Sequence, residues 1–286
     1  MSRRGTDVMA EDWDNLIILD ACRYDMFEEM NTIPGRLETR VSKGSSTGNF
    51  LRKNFTDKTV LDTVYVTANP MYVAKKHGHK SAIGRDTFFK TVDVWEENWD
   101  ENFYTVPPDE MVEPAKRAHD DHQNKRLIVH FLQPHRPWVG KTGKEITEQA
   151  GSSAIARMAG SGADERTGDR AWALLKQGKI TKEQAMKAYY ENLEIALPAV
   201  NELVEYFDGK TVVTSDHGNL AGEYAWPFPL KGHGHPNETF TKHLVKVPWL
   251  VIEGETRKKI IEGTSEVTSG GTVDINDRLA DLGYVD

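Results

Sequence analysis

The sequence predicts an α/β fold, a mostly parallel central sheet with helices on both faces. Short apolar, β-branched runs recur along it, among them Asn15-Leu16-Ile17-Ile18-Leu19-Asp20 and Val212-Val213-Thr214-Ser215. Segments with helical spacing alternate with these runs, the pattern of strands joined by crossover helices. No internal repeat or second apolar core divides the 286 residues, a length that one large α/β domain can fill. One domain over 1–286 is expected.

The elements follow in chain order. The strand at 15–20 runs into a helix over 21–30. Val41 to Leu51 is a polar, glycine-punctuated loop feeding a short helix that ends near Phe55, with a Ser or Thr as its N-cap. Thr63 to Thr67 is a second strand, closed by Asn69-Pro70 and followed by a helix through Lys76. Pro108 through His122 reads as a helix, and Arg126 to Phe131 as a buried strand. Residues 141–170, rich in Gly, Ser, Ala and charge, are expected to form a flexible surface insertion. A long helix from Thr181 to Phe207 carries Leu193, Leu197, Val200 and Val204 on one stripe. Pro198 is expected to kink it. A strand at 211–215, a loop at 218–243, a strand at 248–252 and a closing helix over 273–280 complete the chain.

Composition narrows the function. A net charge of −8 argues against a nucleic-acid binder built on a basic face. An anionic substrate is still compatible with it, because a bound cation reverses the local potential. Cys22 is the only cysteine, so no intramolecular disulfide forms. Met1-Ser2-Arg3-Arg4-Gly5 leads into acidic residues rather than an apolar signal region. No apolar run approaches the length of a bilayer span. The expectation is a soluble, cytoplasmic protein with no nucleic-acid partner and no membrane span.

The chemistry concentrates at strand ends. Val212-Val213-Thr214-Ser215-Asp216-His217-Gly218 ends a strand in an adjacent carboxylate and imidazole, and the strand at 15–20 ends in a second carboxylate, Asp20. Open α/β folds place their sites at this edge. Two hard oxygens and one imidazole nitrogen suit Zn²⁺ or Mn²⁺ and tolerate Mg²⁺ or Ca²⁺. The competing reading is that each aspartate only caps the helix after it.

Gly44-Ser45-Ser46-Thr47-Gly48 offers three hydroxyls just before a helix N-terminus, where backbone N–H groups cradle an oxyanion. A metal beside such a hydroxyl lowers its pKa and makes it a nucleophile; the alternative is a cap with spare hydroxyls. Two histidines stand out, His135 in Pro134-His135-Arg136-Pro137 and His235 in Gly234-His235-Pro236. Each is suited to protonating a leaving alkoxide, binding a nonbridging oxygen or ligating a metal. His130 and His233 are candidate substrate contacts. His77, His79, His119, His122 and His243 are expected to be exposed. Arg23 reads two ways, as a bidentate clamp on an anion or as a brace paired with Asp25. Cys22 reads as a small buried residue. Trp138, Trp226 and Trp249 are candidates for a sugar-binding mouth, with buried packing the favoured role for Trp249.

These islands, in this order, resemble the alkaline phosphatase superfamily, and within it the sulfatase-like and phosphoethanolamine-transferase-like members. The matching pieces are Leu19-Asp20-Ala21-Cys22-Arg23-Tyr24-Asp25, the Gly44 to Thr47 loop, Pro134-His135-Arg136-Pro137 and Thr214-Ser215-Asp216-His217-Gly218. They continue with Gly234-His235-Pro236, Val247-Pro248-Trp249 and Leu279-Ala280-Asp281-Leu282-Gly283-Tyr284. The resemblance implies a three-layer α/β/α domain in which Asp20, Ser45, Asp216 and His217 share a divalent metal. Ser45 is favoured over Thr47 as nucleophile because Asn49, four residues on, falls where related enzymes carry a polar site residue.

Two departures shape the expectation. Sulfatases that form a formylglycine nucleophile carry Cys or Ser followed by x-Pro-x-Arg, and Ser45-Ser46-Thr47-Gly48-Asn49 has neither the proline nor the arginine. A plain hydroxyl suits phosphoryl better than sulfuryl chemistry. No further Asp-x-x-x-His follows Asp216, so one ion is expected, with His235 as a partial ligand if a second binds. The sequence therefore predicts a metal-dependent hydrolase or transferase of a small-molecule or glycan phosphate ester, with a sulfate ester as the near alternative. The rival class is a catalytically silent relative that binds a glycan or anionic polymer.

Overall fold

A computed structural model describes residues 5–73, 83–149, 170–224, 231–266 and 275–282. Its core is a seven-stranded sheet built from β1 (Asn15–Asp20), β2 (Arg36–Val41), β3 (Val60–Thr67), β4 (Phe88–Asp93), β5 (Arg126–Pro134), β6 (Thr211–Ser215) and β9 (Lys246–Ile252). The spatial order is β2-β9-β6-β1-β5-β3-β4. Five neighbouring strands are parallel, whereas β9 runs antiparallel to both β6 and β2. The mostly parallel sheet is as expected. Its centre is buried on both faces, with Leu16, Ile17, Ile18, Leu19, Ile128 and Val129 fully enclosed, which is why those strands read as continuous apolar runs rather than alternating ones.

Helices cover both faces. They are α1 (Tyr24–Met30), α2 (Thr47–Phe55), α3 (Val94–Glu97), α4 (Val112–Asp121), α5 (Lys141–Gln149), α6 (Arg170–Lys176), α7 (Lys182–Tyr206), α8 (Lys242–Val245) and α9 (Ile275–Asp281). One apolar cluster joins α1, α4 and α7 to Ile17, Leu19, Val129 and Val213 of the sheet. A second, around Trp13, Leu16, Ile18, Phe50, Phe55 and Trp249, joins α2 to the opposite face. α7 opens on a capping box in which Thr181 and Gln184 exchange hydrogen bonds. It runs unbroken through Pro198.

Several expectations are revised. The loop foreseen at 218–243 contains a hairpin, β7 (Leu220–Tyr224) paired with β8 (Lys231–Gly234). The first helix begins at Tyr24 rather than 21, because Ala21 has φ 60° and interrupts the turn. Of the foreseen insertion at 141–170, Lys141–Gln149 is helical and the segment from Arg170 starts another helix; the residues between lie outside the described ones, as do His77, His79 and Trp226. His119, expected at the surface, is buried and stacks on Phe207 with ring centroids 5.0 Å apart. Trp138 is also buried rather than lining an open mouth and packs edge-on against Trp172, whereas Trp249 is buried as expected.

Candidate active site

Neighbouring strand tips assemble the site. β1 and β6 are parallel with Leu19 opposite Ser215, so the next residue of each, Asp20 and Asp216, comes to the same carboxyl edge. His217 follows directly. Their ligand atoms lie within 4.8 Å of one another, and all three residues are fully buried.

Hydrogen bonds fix how each group points. Asp216 Oδ1 accepts from the backbone N–H groups of Ala21, at 3.0 Å, and His217, at 2.7 Å. That leaves Oδ2, which has no hydrogen-bond partner. The His217 ring donates from Nδ1 to the Gly218 carbonyl at 2.7 Å. A neutral ring with its proton on Nδ1 presents a bare lone pair at Nε2. That lone pair stands 3.4 Å from Asp216 Oδ2 and 3.5 Å from Asp20 Oδ1. Three electron-rich atoms thus converge in a dry pocket, an arrangement that repels itself until a cation enters. Two carboxylate oxygens and one imidazole nitrogen form a donor set that fits a divalent metal.

The hydroxyl facing this cluster belongs to Thr47. Its Oγ1 lies 3.3 Å from both Asp20 oxygens and 3.2 Å from His217 Nε2. Thr47 is the first residue of α2, and Ser46 before it is the N-cap, its Oγ accepting from Asn49 N–H. The helix N-terminus therefore opens onto the same space as the Thr47 hydroxyl. Gly44 makes this approach possible, since a Cβ there would overlap the backbone of Phe50.

Ser45, the first choice as nucleophile, points elsewhere. Its Oγ donates to the Pro236 carbonyl at 3.0 Å and accepts from Thr239 N–H at 3.2 Å. Asn49 is likewise occupied, its Oδ1 accepting from Glu238 N–H at 3.2 Å. With Ser46 donating to Asn237 Oδ1, these side chains strap residues 236–239 onto the hydroxyl loop. The strap brings in His235, whose Nε2 is 2.9 Å from His135 Nε2 and whose ring centroid is 4.7 Å from that of His217.

His135 donates from Nδ1 to the Arg136 carbonyl at 2.6 Å. Its Nε2 is then an acceptor, so His235 supplies the N–H between the two rings. Burial holds both imidazoles well below their usual pKa, aided by the nearby Arg136 guanidinium. They are neutral at pH 7, and each offers a hydrogen bond rather than a charge.

His130 lies beneath Asp216, fully buried, with Nδ1 2.8 Å from the Tyr65 hydroxyl. Burial lowers its pKa to about 4. Its ring sits between the Tyr65 hydroxyl and Asp216, with Nε2 4.0 Å from Asp216 Oδ2. His233 is half-buried on β8, opposite Ala221 of the hairpin, and is not part of the Asp20–Asp216–His217 cluster.

Arg23 is spent as a brace: its guanidinium binds Asp25, Glu223 at 2.9 Å and His243 Nδ1 at 3.0 Å. Cys22 is enclosed, and burial pushes its thiol well up. One site residue escaped the sequence reading. Asn69, at the tip of β3, donates from Nδ2 to Asp20 Oδ2 at 2.7 Å. Its Asn-Pro context reads as a turn; its position at a third strand tip was the available signal.

Among the described residues no helix is long and apolar enough to cross a membrane. The family model for sulfatases matches residues 61–282. The zinc complex of the C-terminal periplasmic domain of EptC from Escherichia coli superposes with a TM-score of 0.50 at 14% identity, covering 88% of this chain and 76% of that one. The integral membrane lipooligosaccharide phosphoethanolamine transferase A of Neisseria meningitidis aligns over 86% of this chain and 49% of its own, with a TM-score of 0.49 and 13% identity. The C-terminal periplasmic domain of phosphoethanolamine transferase EptC from Campylobacter jejuni gives 0.49 and 13% over 84% of this chain and 78% of that one. No curated protein matches the chain.

Proposed function

This chain belongs to the sulfatase family of the alkaline phosphatase superfamily, and we propose that it transfers a phosphoryl group from a phosphate ester through Thr47, with a divalent metal held by Asp20, Asp216 and His217. Fold and family support the class, hydrolase or transferase of phosphate or sulfate esters. One observation carries the finer reading. The Thr47 hydroxyl stands 3.2 Å from His217 Nε2 and 3.3 Å from Asp20, within a buried cluster whose charge calls for a cation.

When bound, a divalent ion at this cluster lowers the pKa of a neighbouring hydroxyl and draws charge from a nonbridging oxygen. The chain's own groups do the rest. Thr47 Oγ1 attacks phosphorus, forming an O–P bond as the ester O–P bond breaks, and its proton has the Asp20 carboxylate within reach. The N-terminal turn of α2 faces the oxyanion with its N–H groups. The His235 N–H, which His135 accepts in the resting site, turns to a phosphoryl or leaving-group oxygen. Water or an acceptor alcohol then takes the phosphoryl group from threonine.

A phosphate ester is preferred because Thr47 is a plain hydroxyl. A sulfate ester of threonine has no neighbouring group to expel it, unlike an aldehyde hydrate.

The test is turnover of p-nitrophenyl phosphate, bis-p-nitrophenyl phosphate and p-nitrophenyl sulfate by metal-loaded protein and its Thr47→Ala variant. Phosphate-ester turnover that disappears in Thr47→Ala is the expected result. Faster turnover of the sulfate would overturn the substrate class, and an active Thr47→Ala the nucleophile.

A further inference from the structure

Two buried polar atoms face each other beneath the metal cluster. His130 Nε2 lies 4.0 Å from Asp216 Oδ2, and neither has a hydrogen-bond partner. The far side of the His130 ring is engaged, Nδ1 being 2.8 Å from the Tyr65 hydroxyl. Both residues are fully enclosed. Tyr65 is fixed by its own packing, stacked on Phe88 at 4.7 Å and edge-on to Tyr72 at 5.6 Å. The register sets the geometry: on parallel neighbours β3 and β5, Thr67 lies opposite His130 and Tyr65 opposite Ile128.

We propose that Tyr65 and His130 form a positioning pair for Asp216, the phenol donating to Nδ1 so that the imidazole carries its proton on Nε2, turned toward the Asp216 carboxylate. The opposite tautomer would set a nitrogen lone pair against that carboxylate in a dry interior, which is costly. With Oδ1 held by two backbone N–H groups, an N–H behind Oδ2 fixes the remaining rotation and leaves one lone pair aimed at the cluster. Groups that orient a metal ligand from behind commonly contribute 10- to 100-fold in metal affinity. His130 would thus act through Asp216 and not on substrate. The inference rests on the reading that Asp216 is a metal ligand.

The experiment measures the zinc dissociation constant of metal-stripped protein by competition with a chromogenic chelator, alongside kcat and KM for p-nitrophenyl phosphate. His130→Leu, which keeps bulk without a donor, is expected to weaken zinc binding by about 10- to 100-fold, and Tyr65→Phe by about tenfold. His130→Gln places an amide N–H where Nε2–H stood and is expected to recover most of the loss. Adding Tyr65→Phe to His130→Gln should cost nothing further, because a glutamine has no tautomer to set. KM should hold in every variant at saturating zinc.

Wild-type zinc affinity in His130→Leu, or a full Tyr65→Phe loss persisting beside His130→Gln, overturns the pair. A raised KM with unchanged zinc affinity also overturns it, by making His130 a substrate contact. Wild-type protein that binds no zinc or other divalent metal sinks the metal reading itself, a result distinct from the others.

Discussion

Thr47 Oγ1 lies 3.2 Å from His217 Nε2, bridging the N-terminus of α2 and the tip of β6. Ser45, two residues earlier, is turned toward Pro236. The two hydroxyls should therefore fail differently. Thr47→Ala is expected to lose at least about a thousandfold in kcat, as removal of a nucleophile does. Ser45→Ala removes two bonds of the strap carrying His235 and should lose roughly ten- to a hundredfold, the scale of one or two neutral hydrogen bonds that position a group. Trapping phosphoenzyme by acid quench with a ³²P-labelled ester, then mapping the label, separates the residues. A label on Ser45 would reverse the assignment.

The buried carboxylates predict opposite effects on stability and metal binding. Asp20 and Asp216 are both fully enclosed with the His217 lone pair between them. Without metal, that concentration of negative charge works against folding. Asp20→Asn keeps the acceptor that Asn69 uses and removes one charge. Metal-stripped Asp20→Asn is expected to be more stable than wild type by roughly 1–3 kcal/mol in urea denaturation, and to gain far less on adding zinc. A metal-stripped variant less stable than wild type would show that the charges do not strain the fold.

The Asp20–Asp216–His217 cluster was legible because Asp20 ends one apolar strand and Asp216 and His217 follow directly on another, and parallel strands bring their carboxyl ends to one edge whatever their separation in sequence. What surrounds it was not. Choosing between Ser45 and Thr47 depends on where α2 starts, and Ser45, Ser46 and Thr47 are all competent caps. Their choice is made by Pro236, Asn237 and Thr239, about 190 residues away. Arg23 is similar. Its local partner Asp25 was in view, but Glu223 and His243, which occupy the rest of its guanidinium, arrive from the hairpin and α8.

Of the main sheet, the strands that escaped notice lie at its two edges. β2, Arg36-Leu37-Glu38-Thr39-Arg40-Val41, is half-exposed and charge-rich at the edge, so it has no continuous apolar run. The antiparallel direction of β9 has no local signature either, because apolar runs look alike in both directions.

The brace at Arg23 predicts acid sensitivity. Burial raises the Glu223 carboxyl, but the backbone N–H of Ala221 and the Arg23 guanidinium outweigh it and bring its pKa down to about 2. A carboxylate depressed in the folded state adds stability above its unfolded value near 4.5, and that stability is lost as pH falls toward 2. Glu223→Gln should therefore flatten the fall in stability between pH 4.5 and 2, while being less stable than wild type at pH 7. Chemical denaturation at a series of pH values checks this; parallel curves for the two proteins would rule it out.

Ala21 carries the strain of the site. Its φ of 60° is left-handed backbone that alanine adopts at a cost of about 1–2 kcal/mol. The turn lets its N–H reach Asp216 Oδ1 directly after Asp20, and the Tyr189 hydroxyl from α7 holds its carbonyl. Strain maintained next to catalytic groups by such contacts is a recurring feature of active sites. Glycine adopts this conformation freely but gains freedom when unfolded, so Ala21→Gly should change stability by less than about 1 kcal/mol. Tyr189→Phe removes the latch and should cost about 1 kcal/mol or more, with a weaker grip on metal. The two effects are linked through one peptide unit. In the Ala21→Gly background, where no strain needs holding, Tyr189→Phe should cost measurably less. A double-mutant cycle on unfolding free energy reads this coupling, and strictly additive values would show that Tyr189 does not hold the turn.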